Sequence, residues 1–246
     1  MNPSVLPNHL IIAPILIPLV AGAIMLFYND RNRQTKLVMG LVAVGLMFLS
    51  SVELMSDAKE LGAAGGAIVQ LYRLGDWPVP IGIVLVLDRL SAMMVMLTAL
   101  LAAPSLIYAA AGWHGKGQHY HSMFQFLLAG VNGSFLTGDL FNLFVFFEVM
   151  LAASYGLMLH GSGAARVKAG LQYIAVNLAA SLFFLIGVAL VYGTTGTLNM
   201  ADIGRAVREL DDVPRLLFHT AAGFLGIAFL VKAAIWPLCF WLPPTY

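Results

Sequence analysis

One apolar stretch with a single carboxylate near its middle constrains this chain more than any other feature. It covers residues 138–160, GDLFNLFVFFEVMLAASYGLMLH, and the carboxylate is Glu148. About 20 helical residues cross a hydrocarbon layer of about 30 Å, which places Glu148 roughly 15 Å from either face. A charge at that depth costs at least about 2.5 kcal/mol. Glu148 is therefore either a protonated acid satisfied by a neighbouring helix or, as we favour, a carboxylate that carries protons or couples to an ion.

The composition indicates an all-α polytopic membrane protein. The 246 residues are 60% hydrophobic and only 10% charged, with a mean hydropathy of +0.87, whereas soluble domains have about 25% charged residues. The net charge of +1 gives no indication of a nucleic-acid partner, and the one cysteine, Cys239, excludes an intrachain disulfide. The sequence has no Cys/His metal motif and no glycine-rich phosphate loop, so no metal and no cofactor are expected.

The apolar pattern predicts about seven transmembrane helices with an uncleaved N-terminus, because no Lys or Arg precedes the first apolar run. The seventh helix carries Lys232 and should break just beyond it, since Pro237 lacks a backbone donor. Two short runs, 67–71 and 81–87, flank a Gly/Pro turn and predict a small extramembrane hairpin between helices 2 and 3. The predicted spans are 9–28, 37–55, 90–111, 122–136, 138–160, 169–192 and a last one from about 216.

Polar residues in and beside the predicted fourth span allow two interpretations. Residues 113–121 contain His114, His119 and His121, which could form a metal site or a wet interfacial loop. We favour the wet loop, because no acidic or cysteine ligand accompanies the histidines. Gln125 and Asn132 are seven residues apart and share one helix face, which predicts a polar seam turned toward protein.

The loop charges predict the orientation in the membrane. Three short loops, following the first, third and fifth spans, hold six cations, and the opposite side has six cations spread over longer segments. Because short loops determine the positive-inside preference, we place residues 29–36 and 161–168 in the cytoplasm and the N-terminus outside. The cations of the short loops are Arg31, Arg33, Lys36, Lys116, Arg166 and Lys168.

The segments around the two intramembrane charges, Glu148 and Lys232, resemble a known family. FNLFVFFE, around Glu148, resembles the fifth helix of the antiporter-like subunits shared by respiratory complex I and Mrp-type cation/proton antiporters, and looks closest to the D subunit of the latter. FLVKAAIWPL, around Lys232, is similar to the seventh, discontinuous helix of that family. LDRLS, starting at Leu87, resembles the beginning of its third helix.

The resemblance implies a fold of about fourteen helices in two inverted repeats of five, of which residues 1–246 form the N-terminal part, helices one to seven. It implies that Glu148 and Lys232 translocate protons in a subunit of a monovalent cation/proton antiporter, with sodium as the expected cation. The chain is then an ion-transporter subunit rather than an enzyme. The resemblance also implies a multi-pass protein of the plasma membrane, with other antiporter subunits and the lipid bilayer as expected partners.

Alternatives to this interpretation stay open from the sequence alone. The chain could be a proton-pumping membrane subunit of complex I or of a membrane-bound hydrogenase. It could also be an inactive truncated structural fragment, in which Glu148 and Lys232 form a buried pair that fixes packing. Two further residues are weak candidates for proton access or relay: Asp139, which also suits a helix N-cap, and His219, which we expect at the interface, on a different face from Lys232.

Overall fold

A computed structural model describes residues 8–29, 31–58, 69–79 and 81–245. Within these ranges the chain forms nine α-helices and two short strands. In chain order they are α1 (Ala13–Leu26), α2 (Arg33–Asp57), β1 (Gln70–Arg73), β2 (Val84–Leu87), α3 (Arg89–Ala110), α4 (Tyr120–Leu136), α5 (Leu140–Met158), α6 (Ala164–Thr195), α7 (Met200–Ala206), α8 (Asp212–Lys232) and α9 (Leu242–Thr245).

Six helices in the described ranges are long and apolar enough to cross a membrane: α1 with the 3₁₀ turn before it, α2, α3, α5, α6 and α8. The all-helical multi-pass architecture is therefore confirmed. The predicted count of seven is not, because the predicted fourth span corresponds to α4, which has only 17 residues. This helix packs mainly against α1 and α5, with α3 beside it.

A layer of extended backbone closes one end of the helix bundle, and we call it the strand end. β1 and β2 pair antiparallel, with Gln70 opposite Leu87, which confirms the predicted hairpin; residues 67, 68 and 80 lie outside the described ranges. The Gly138 N–H donates to the Val84 carbonyl over 2.9 Å, and the Leu140 N–H donates to the Leu198 carbonyl over 2.8 Å. These two hydrogen bonds join three segments at the end where α5 begins: the hairpin, the α4–α5 connection and the segment before α7.

The opposite end, which we call the loop end, is formed by the connections α1–α2, α3–α4 and α5–α6. His160 contacts the Trp113 carbonyl at 3.0 Å through its Nε2. The guanidinium of Arg166 lies 4.9 Å from the centre of the Trp113 ring, in cation–π contact. The loop end therefore contains the three short loops that hold six Lys and Arg residues in the sequence.

The predicted polar seam of α4 faces protein, as expected, because Gln125 and Asn132 are both fully buried. Asn132 Nδ2 donates to the Pro14 carbonyl over 2.8 Å, and Gln125 Nε2 donates to the Gly40 carbonyl over 3.3 Å. Pro14 lies four residues before Pro18, inside α1. Since proline has no N–H, Pro18 leaves that carbonyl without its helical donor, and the Asn132 amide replaces it.

Replacing Asn132 with leucine is expected to destabilise the folded protein by about 0.6–1.7 kcal/mol, between the average and the largest value found for interhelical hydrogen bonds in a membrane protein. In a Pro18→Ala background the same change should cost less, because the introduced alanine supplies the missing N–H to the Pro14 carbonyl. SDS-induced unfolding of the complete protein in mixed micelles measures this double-mutant cycle. An equal cost in both backgrounds would show that the bond to the Pro14 carbonyl contributes nothing, and that the asparagine acts through packing or through its contact with Met47 Sδ.

Candidate functional site

Three helices bring one polar side chain each to a single chain of hydrogen bonds. Glu148 lies near the middle of α5, Lys232 is the last residue of α8, and Ser181 of α6 lies between them. The Ser181 hydroxyl donates to Glu148 Oε1 and accepts from Lys232 Nζ over 3.0 Å. No ion pair of 4.0 Å or less joins Glu148 directly to Lys232 in the described part of the chain. The carboxylate and the ammonium are thus linked by a hydroxyl.

The position of Lys232 follows from the way α8 ends. The predicted break beyond this residue is confirmed, because α8 ends at Lys232 and Ala234 has a positive φ of 51°. The Trp241 indole N–H folds back and donates to the Val231 carbonyl over 3.0 Å. Lys232 therefore lies at the carbonyl end of α8, where the helix dipole favours a cation.

Aromatic rings form the apolar surroundings of the ammonium. Lys232 Nζ lies 5.5 Å from the centre of the Phe147 ring, within the range of a cation–π contact. Phe184 is fully buried, with its ring centre 5.9 Å from that of Phe147 and 5.4 Å from that of Phe229. The ammonium therefore has an aromatic side and a polar side, and the polar side is Ser181.

A cavity of about 700 Å³ extends from Lys232 toward the loop end, where Trp113 and Arg166 line it. Ser154, Tyr173 and Asn177 contribute polar groups to its wall. The hydroxyls of Ser154 and Tyr173 lie 2.9 Å apart. Lys232 lines this cavity, whereas Glu148 is not among the described residues that do. Lys232 and the loop-end residues Trp113 and Arg166 thus line the same cavity.

Asp139 and His219, the two weaker candidates, do not join the site. Asp139 caps α5, with its Oδ1 accepting from the Asn142 N–H over 2.8 Å, so the N-cap interpretation is confirmed. Burial raises the pKa of Asp139, and the backbone hydrogen bond from Asn142 opposes that shift. Nine residues of helix, about 14 Å, separate it from Glu148. His219 is exposed, about 20 Å along α8 from Lys232.

The prediction of a wet loop is wrong for His121, which is only 3% exposed, whereas His114 and His119 are partly exposed. His114 Nδ1 and His121 Nε2 lie 3.0 Å apart and share a hydrogen bond. Burial, and next the positive charge of Arg33, lowers the pKa of His114. Among the described residues, no three His, Cys, Asp or Glu side chains form a group that could hold a metal ion.

Sequence reasoning missed Ser181, although a signal for it exists. Tyr173, Asn177 and Ser181 follow one another at four-residue intervals in α6 and share one face of the helix. All three are buried. A polar stripe of this kind in an otherwise apolar span predicts a face turned toward a cavity or a charged partner rather than toward lipid.

The comparison with known proteins identifies the family. The family model described as NADH:quinone oxidoreductase/Mrp antiporter, TM, matches residues 137–246, which contain all three members of the hydrogen-bonded chain. The probable K⁺/H⁺ antiporter D subunit of Rhizobium meliloti is 56% identical over 242 residues, which are 97% of this chain and 44% of the relative. The chain belongs to this Mrp antiporter and complex I membrane-subunit family. The Na⁺/H⁺ antiporter D subunit of Alkalihalophilus pseudofirmus is 40% identical over 241 residues, 97% of this chain and 47% of the relative.

A solved member of the family has the same fold. The structure of the Mrp complex from Dietzia sp. DQ12-45-1b contains a chain that is 33% identical, with a TM-score of 0.84. The match covers 97% of the present chain and 44% of that chain. The chain thus spans less than half the length of these relatives, and the assignment of residues 1–246 to the N-terminal part of the family fold stays a prediction.

Proposed function

We propose that this chain is part of a subunit of a monovalent cation/proton antiporter, in which Glu148 and Lys232 move protons. One observation carries the proposal: an intramembrane carboxylate and ammonium are linked through a hydroxyl, beside a cavity that reaches the loop end. Ionisable groups at membrane depth mark ion and proton paths. The relatives named as antiporter D subunits support the same function.

The two charges of this site depend on each other for their stability. Each is costly in an apolar environment, and each stabilises the other's charged form when they are close. If the carboxylate is protonated or moves away, the ammonium loses that support and can release a proton to water in the cavity. Alternation between the linked and the separated arrangement therefore provides a way to pass protons one at a time.

The identity of the cation stays open between two monovalent ions. The relative with 56% identity is named for potassium, and the relative with 40% identity is named for sodium. The candidate site itself presents a carboxylate, a hydroxyl and an ammonium, and these groups do not distinguish sodium from potassium. We therefore propose a monovalent cation without choosing between the two, and sodium stays a prediction.

We further propose that the subunit works in the plasma membrane with other antiporter subunits, because the structure it matches is that of a multisubunit Mrp complex. Many apolar side chains on the outer faces of α2, α3 and α6 are exposed, and lipid and partner subunits would cover them. The orientation with residues 29–36 and 161–168 in the cytoplasm also stays a proposal, supported by the cations of the loop end.

Everted membrane vesicles that contain the complete subunit with its partner subunits test the proposed function. Respiration acidifies the vesicle interior, and addition of sodium or potassium chloride is expected to release protons, seen as dequenching of a pH-sensitive dye. Choline chloride at equal concentration is the control and should give no response. A complex that assembles but responds to neither cation would contradict antiport and favour the alternative of a redox-driven proton pump.

A further inference from the structure

We propose that the Ser181 hydroxyl is the group through which protons pass between Lys232 and Glu148. This inference rests on the proposed function and adds a relay residue to it. The hydroxyl is an acceptor toward Lys232 Nζ and a donor toward Glu148 Oε1 at the same time. A serine hydroxyl can play both roles, whereas an ammonium only donates and an ionised carboxylate only accepts.

The hydrogen bonding of Ser181 differs from that of other serines within the spans. Hydroxyls within apolar helices commonly donate to a backbone carbonyl three or four residues earlier. Ser50, Ser105, Ser134 and Ser154 all do so in this chain. Ser181 instead directs its proton across the helix interface to Glu148. The Ser181 hydroxyl thus connects α5 with α8 through its two hydrogen bonds.

The lining of the cavity also bears on Ser181, because neither Ser181 nor Glu148 is among the described residues that line it. Lys232 lines the cavity and can exchange protons with its water, whereas Glu148 is not among the described lining residues. Ser181 is 6% exposed and lies between the two. A proton that enters at the loop end therefore reaches Lys232 first, and the hydroxyl provides its shortest connection to the carboxylate.

The transfer step conserves atoms and charge. One N–H bond of the Lys232 ammonium breaks as its hydrogen forms a new bond to Ser181 Oγ. At the same time the original O–H bond of Ser181 breaks, and that hydrogen bonds covalently to Glu148 Oε1. An ammonium and a carboxylate become an amine and a carboxylic acid, and the serine remains a hydroxyl with its hydrogen turned toward Lys232. The starting arrangement returns when Glu148 releases its proton, Lys232 takes up a new proton from water in the cavity, and the hydroxyl rotates back toward Glu148.

The sharpest test compares Ser181→Thr with Ser181→Val in the complete complex, in the everted-vesicle assay. The two replacements have nearly the same shape and add the same bulk at a buried position, but only threonine keeps a hydroxyl. Valine also fills the space that a substituting water would need. We expect the threonine variant to transport at least about tenfold faster than the valine variant per assembled complex, since positioned proton-transfer groups contribute about 10²–10⁴-fold.

Controls separate the relay from packing. Ser134→Val removes a hydroxyl that donates to the Gly130 carbonyl of its own helix, and it should keep transport within about twofold. If neither branched variant at position 181 assembles, Ser181→Ala decides, because it removes one oxygen and adds no bulk. The relay predicts at least about a fivefold loss for this variant.

The outcomes distinguish this inference from the proposed function. Equal transport by the threonine and valine variants, or a fully active Ser181→Ala, overturns the relay while the antiport function stands, provided that Glu148→Gln is inactive in the same assay. Full transport by Glu148→Gln overturns the proton path through Glu148 and Lys232 and, with it, the relay, whereas a wild-type complex that responds to neither cation overturns antiport itself. A transport rate that is much higher for Ser181→Thr than for Ser181→Val supports both the relay and the proposed function.

Discussion

Replacing Lys232 with arginine is expected to abolish ion-coupled proton transport in the assembled complex, although the positive charge remains. A guanidinium is a far weaker acid than an ammonium and does not release its proton in proteins. It can still donate a hydrogen bond to Ser181 and neutralise Glu148, so the helix packing is largely retained. We expect a loss of at least about 100-fold in transport rate, as large as that of Lys232→Ala.

This substitution separates a proton carrier from a structural ion pair. A pair that serves only to fix packing between α5, α6 and α8 tolerates arginine, because the charge and the hydrogen bond survive. Transport is measured as sodium- or potassium-dependent dequenching in everted vesicles, normalised to the amount of complex on a native gel. A near wild-type rate for Lys232→Arg would mean that Lys232 does not carry protons, and a packing pair would then replace the proposed mechanism.

The parts of the site that could be predicted from sequence are those that are costly in a membrane. Glu148 and Lys232 stand out because an ionisable group within an apolar span has few roles other than function. The break of α8 was predictable from Pro237, whose missing N–H prevents regular helix from continuing. The N-cap role of Asp139 follows in the same way from a local rule of backbone hydrogen bonding.

The parts that were missed depend on contacts between distant segments. Ser181 gives a weak signal, because a serine hydroxyl can satisfy itself on its own helix, and only the position of Glu148 reveals its different role. His121 is buried because His114 and the surrounding helices pack onto it, which the sequence of one loop does not contain. α4 is shorter than the helices counted as spans. Its packing against α1 and α5 could not be predicted from the length of its apolar run.

Replacing Glu148 with glutamine is expected to reduce transport by at least about 100-fold, for a reason complementary to that of Lys232. Glutamine has the same shape, and its amide oxygen can accept the hydrogen bond from Ser181, but it cannot take up a proton. Glu148→Asp keeps the carboxylate but withdraws it by about 1.5 Å, one carbon–carbon bond. We expect this variant to be intermediate, and the same vesicle assay ranks wild type above aspartate and aspartate above glutamine.

Assembly of the Glu148→Gln variant must be measured with its activity, because removal of one partner leaves the Lys232 ammonium without its counter-charge. A charge at membrane depth that loses its partner is costly, whereas replacement of both charges by neutral groups is often tolerated. The double variant Glu148→Gln, Lys232→Met should therefore assemble better than the single one. If the two residues only fix the packing of the helices, the double variant also regains transport. If they carry protons, it regains assembly and stays inactive, and this is the result that we expect.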